Sequence, residues 1–166
     1  MFCALLGATI ASAITSTPAN ADPEVEAFQA ISAAYVRCDL AAASRDVLGT
    51  LAIDTANYQI VNANGKVYFH NGPEMIAQYK KTYEAVSQVR QKTNLQKLTL
   101  QPGFAKATVI QRLQLSAIDP QVNKWRTWII DWKMEDIWVR EAGIWKRKRS
   151  VMLNQTSTKR LGQASD

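Results

Sequence analysis

Apolar positions along the chain recur first at helical spacing and later at strand spacing. Val25, Phe28, Ile31, Tyr35 and Cys38 step by three and four, which predicts an amphipathic helix over 23–37. Asp22 stands at its N-cap, with Pro23 at the first helical position and Glu24 in the first turn. Leu40, Val47, Leu48 and Leu51 predict a second short helix over about 39–52. The period then falls to two. TANYQIV and KVYFH flank Asn64-Gly65, a dipeptide suited to the positive backbone angles of a tight hairpin. Pro73-Glu74 restarts helix, and Ile76, Tyr79, Tyr83 and Val86 give it one apolar face down to about Arg90.

The remainder reads as sheet. LQKLTL and FAKATVIQRLQLSAI flank Pro102-Gly103, with Ala105, Ala107, Val109, Leu113 and Leu115 on one face. Strands over 124–140 and 144–155 make a third hairpin, and the polar tail over 157–166 is expected to fray. Helix, helix, hairpin, helix and four antiparallel strands define an α+β class: a curved antiparallel sheet of about six strands wrapped over three helices of the N-terminal half. With 166 residues and no repeat or linker, one domain over 22–156 is expected.

The N-terminus carries a different signal. FCALLGATIASAI is apolar but shorter than the ~20 residues of a membrane-spanning helix. Ala19-Asn20-Ala21 fits a small-residue cleavage site, so residues 1–21 read as a secretory signal, although no Lys or Arg precedes the run. A secreted or periplasmic protein, with no stable membrane insertion after cleavage, is the expectation. Every charged residue lies beyond Ala21, so the remaining chain keeps the net charge of +6. That balance admits anionic partners, but export argues against nucleic acid. Cys38 is the one cysteine beyond residue 21 and falls on an apolar helix, which suits a buried thiol better than a nucleophile. One His and one such Cys cannot build a usual metal site, and no phosphate loop, hydrolase elbow or dinucleotide fingerprint occurs. No metal or cofactor is expected.

The order of elements, GPEMI opening the third helix, and the closing hairpin DIWVREAGIWKRKRS together resemble the nuclear transport factor 2-like superfamily, in its SnoaL-like branch, over nearly all of 23–155. The resemblance implies a cystatin-like cone with a pocket between sheet and helices, and commonly a homodimer through the outer sheet face. It does not imply one activity, since isomerases, cyclases, dehydratases and binding domains share the fold. In the ketosteroid isomerase type a carboxylate base sits on the strand after the second helix; the matching position here is near Ile60, which is aliphatic.

The closing hairpin divides into faces. A three-residue loop, Glu141-Ala142-Gly143 with Gly143 left-handed, pairs Arg140 with Ile144. Counting outward sets Ile137 opposite Arg147 and Glu135 opposite Arg149, facing the convex side. Trp138 with Lys146, Asp136 with Lys148, Met134 with Ser150 and Trp132 with Met152 share the other face with Trp128 and Ile130. So much apolar surface belongs inside. The predicted pocket lining is therefore Tyr35, Tyr58, Tyr79, Tyr83, Trp128, Trp132, Asp136, Trp138, Lys148, Ser150 and Met152, with several of the aromatics serving as core.

Three functions fit these residues. The first is a binding domain without evident catalysis, taking a small organic ligand that the lysines would allow to be anionic. The second is a metal-free isomerase, dehydratase or cyclase using His70, Asp39, Asp136 and Tyr58 as acid and base. The third is a self-associating or protein-binding module using Arg147, Arg149 and Arg112 on the convex sheet.

Overall fold

A computed structural model describes residues 22–161 except 120 and 122; the expected signal segment lies outside them, as does the tail beyond 161. Three helices, α1 (Pro23–Ala43), α2 (Val47–Leu51) and α3 (Pro73–Ala85), accompany six strands: β1 (Asp54–Asn62), β2 (Val67–His70), β3 (Gln88–Gln101), β4 (Phe104–Asp119), β5 (Lys124–Glu141) and β6 (Ile144–Leu161). The strands form one sheet in the order β2-β1-β6-β5-β4-β3. Its pairings are antiparallel except β1 with β6, which run parallel.

α1 begins where its cap predicts: the Asp22 carboxylate accepts from the Glu24 backbone N–H at 2.9 Å. It runs past residue 37 because Asp39, Leu40 and the alanines 41–43 offer no helix breaker, and it ends at Ser44. Its buried face is Ala27, Ile31, Ala34, Tyr35, Cys38 and Ala42. Val25 and Phe28, expected on that face, are exposed, because the contact stripe runs through Ile31, Tyr35 and Cys38 and is completed by the alanines 27, 34 and 42 on its other flank. α2 is much shorter than expected, since Arg45 takes a positive φ of 59° and Asp46 recaps the chain through the Gly49 N–H. β3 starts at Gln88, where a helix was expected to continue to Arg90, and β6 extends through residues expected to fray.

The closing hairpin turns more tightly than expected. Ala142 and Gly143 both have positive φ, 49° and 81°, as a two-residue type I′ turn requires, and Glu141 pairs with Ile144. Arg140 then meets Trp145 and Trp138 meets Arg147. Lys148 is an extra residue in a bulge, after which Ile137 meets Arg149 and Asp136 meets Ser150. Two expectations are thereby corrected. Arg147 shares the buried face with Trp138, and Lys148 is exposed, with Ser150 in its place opposite Asp136.

Candidate functional site

Two features occupy the space between helices and sheet: a buried charged network and an apolar cavity.

The network joins α1, β1, β5 and β6. Arg147 forks onto Asp54, Nε to Oδ1 at 2.8 Å and Nη2 to Oδ2 at 3.3 Å, and its Nη1 lies 3.6 Å from Asp136 Oδ2. The Tyr35 hydroxyl donates to the same Asp136 oxygen at 2.5 Å and accepts from Trp138 Nε1 at 3.1 Å. The guanidinium stacks 4.6 Å from the centre of the Tyr58 ring, whose hydroxyl donates to Ser150 at 2.8 Å. All of these side chains are buried. Asp136 Oδ1 has no hydrogen-bond partner among the described residues.

Burial, with the Asp136 charge adding to it, pushes the Tyr35 phenol well above its ordinary pKa, and burial does the same to Tyr58 against the pull of Arg147. Burial opposes the charge of Arg147, but Asp54, Tyr58 and Asp136 outweigh it and hold the guanidinium protonated. Burial lifts the Asp54 carboxyl above its usual range, with Arg147 pulling it back. The phenols and the guanidinium thus keep their protons at neutral pH, as members of a fixed internal scaffold.

The cavity, of about 320 Å³, lies between α3 and the inner face of the sheet. Met75, Gln78, Tyr79, Thr82 and Tyr83 of α3 face Gln91 of β3, Gln111, Leu113 and Leu115 of β4, and Ile130, Trp132 and Met134 of β5; Ile60, Phe69 and Met152 complete it. No charged side chain is among these residues. α3 takes up this place because Pro73 sets its first turn and Gly72, at a φ of 144°, redirects the chain after β2.

Of the residues predicted to line a pocket, Tyr79, Tyr83, Trp132 and Met152 do so. Tyr35, Tyr58, Asp136, Trp138 and Ser150 belong instead to the buried network, and Trp128 is half-buried outside the lining. Among the acid–base candidates, His70 is exposed on β2 and faces Gln59 at 3.3 Å. Asp39 is half-buried on α1 and accepts three hydrogen bonds from β3. None of His70, Asp39, Asp136 and Tyr58 lines the cavity. Gln91 and Gln111 also line the cavity and stand outside the predicted set. The period of two through Ala107, Val109, Leu113 and Leu115 runs through Gln111 and marks it as an inward polar residue.

Cys38 is buried, and burial raises its thiol to about 11. Among the described residues, no group of three His, Cys, Asp or Glu could hold a metal ion, and no helix is long and apolar enough to cross a membrane.

No protein-family model matches this chain, and no curated protein does. Solved structures do. A conserved protein from Planctomyces limnophilus superposes with a TM-score of 0.65 at 12% identity, covering 81% of this chain and 99% of its own. A candidate scytalone dehydratase from Novosphingobium aromaticivorans gives 0.59 at 15% identity, covering 86% and 93%. A protein with a cystatin-like fold from Caulobacter vibrioides gives 0.54 at 15%, covering 77% and 89%. The chain has this α+β cone, the fold of nuclear transport factor 2-like proteins, as its order of elements predicts.

Proposed function

We propose that this protein binds a small, largely apolar, uncharged organic molecule in the cavity beneath α3. The observation that carries this reading is a lining of methionine, leucine, isoleucine and aromatic side chains with a few neutral polar groups and no charge. Its volume of about 320 Å³ sits at the small end of the ~300–1,000 Å³ usual for ligand sites. An anionic ligand loses its support once Lys148 is exposed and absent from the lining. Calorimetric titration with naphthalene tests the proposal: one molecule should bind per chain, and Leu113→Trp, which fills the cavity, should abolish binding. Absence of binding to the wild type, or equal binding to the variant, would overturn it.

An acid–base enzyme draws support from the name of the Novosphingobium neighbour. It needs proton-transfer groups around one substrate, and the four candidates lie away from the cavity lining. For residues 1–21 we propose export with cleavage after Ala21, which N-terminal sequencing of the protein from its source would check by finding Asp22 first. We also propose a homodimer through the outer sheet face, where Ile110, Ile118 and Trp125 are exposed.

A further inference from the structure

We propose that the cavity selects molecules carrying a hydrogen-bond donor, a hydroxyl or N–H, and discriminates against anions and against analogues that can only accept. The inference rests on the ligand-binding reading above and names the ligand's chemistry. It comes from the direction of a hydrogen-bond relay behind Gln91 and Gln111.

The relay starts at Asp39. Its carboxylate accepts from Gln91 Nε2 at 3.0 Å, from the Thr93 backbone N–H at 2.6 Å and from the Thr93 hydroxyl at 2.8 Å. An ionised carboxylate accepts only, so the single hydroxyl proton of Thr93 is committed to it. Thr93 Oγ1 is then left as an acceptor, and Gln111 Nε2 donates to it at 3.1 Å. Gln91 Nε2 also lies 3.6 Å from Cys38 Sγ, so both of its N–H bonds have partners.

The two ends of a glutamine amide are normally hard to tell apart. Here the chemistry distinguishes them. Turning Gln91 around would set its carbonyl oxygen against a carboxylate oxygen. Turning Gln111 around would set its carbonyl oxygen against a hydroxyl with no proton left to give. Both amide nitrogens are therefore pinned toward the protein. Both side chains line the cavity, and no hydrogen bond within the described residues uses either Oε1. One half-buried carboxylate thus orients two carbonyl acceptors toward the cavity.

A ligand hydroxyl satisfies such an acceptor, whereas an ether or ketone leaves it unpaired at a desolvation cost. A carboxylate would add its charge near two carbonyl oxygens backed by Asp39, with no cation in the lining. The donors that remain are neutral: the Tyr79 hydroxyl, the Trp132 indole N–H, one N–H of Gln111 and the exposed Gln78 amide. Burial raises the Tyr79 phenol, with Arg147 opposing, so it stays protonated and can donate to the oxygen of the same ligand hydroxyl.

The test uses four probes on one skeleton: naphthalene, 2-methoxynaphthalene, 2-naphthol and 2-naphthoate, titrated calorimetrically into the whole chain. The expected result is 2-naphthol binding about tenfold more tightly than naphthalene or the methyl ether, with naphthoate weakest. In Asp39→Asn, whose amide can donate to Thr93 and release the relay's direction, that preference should fall to about twofold while naphthalene binds as before. If naphthalene binds but the ether or naphthoate matches naphthol, this inference falls and the cavity reading stands. If none of the four binds, the cavity reading fails and takes the inference with it. An undiminished preference in folded Asp39→Asn would overturn the relay.

Discussion

Arg147 and Asp54 face one another across the parallel pairing of β6 with β1, as register partners joined by two hydrogen bonds in the interior of the cone. This contact ties the closing hairpin to the first strand and places the guanidinium 3.6 Å from Asp136. Removing the cation leaves two buried carboxylates without compensation. Arg147→Met should destabilise the fold by ~3–5 kcal/mol. Arg149→Met, two residues along the same basic run but exposed, should change it by less than ~1 kcal/mol. Urea denaturation of both variants checks the contrast, and similar effects would contradict the observed register.

Ala142 holds a φ of 49° in the closing turn, a conformation that Asn and Gly adopt more readily than Ala. Ala142→Gly should therefore stabilise the protein, or at worst be neutral, within about 1 kcal/mol. A loss of more than ~1 kcal/mol in thermal or urea unfolding would contradict the two-residue turn.

The Cys38 thiol is raised by burial from 9.0 to about 11. In the unfolded chain it ionises first, so the folded state holds more protons between those values and stability falls as pH rises through that window. Below pH 9 the thiol contributes no slope. Cys38→Ala should flatten the alkaline decline by ~1–3 kcal/mol between pH 9 and 11, measured by urea unfolding. At pH 8 the native thiol should resist a disulfide reagent until the protein unfolds; rapid labelling of the native state would contradict its burial.

Much of the fold was legible because it follows from periods and punctuation: the cap at Asp22, the turns at Asn64-Gly65 and Pro102-Gly103, and the alternation of β4 and β5. The inward placement of Asp136 and Trp138 follows from that alternation. The fate of Arg147 does not. It depended on whether Glu141 belongs to the loop, and an alanine at positive φ makes the tighter turn look unfavourable from sequence. The bulge at Lys148 then returns Ser150 to the inner face, and period-two counting has no means of anticipating it. The cavity was half legible, through Tyr79, Tyr83, Trp132 and Met152. Gln91 was harder to see, because β3 was expected to begin later.

Self-association through the outer face can be separated from ligand binding. Ile118 and Trp125 are cross-strand partners there and remain exposed in the single chain. Sedimentation should find a dimer for the wild type and a monomer for Ile118→Lys, with naphthalene binding retained in both. A monomeric wild type at high concentration would contradict the dimer.

The most direct test of the cavity as a ligand site uses its methionines. Met75, Met134 and Met152 line it, and Met1 is the only other methionine in the chain. With ¹³C-labelled methionine methyl groups, addition of naphthalene should shift the resonances of all three through the aromatic ring of the ligand. Saturation should come at one molecule per chain. Unchanged methionine signals, with naphthalene either free or bound elsewhere, would contradict the account.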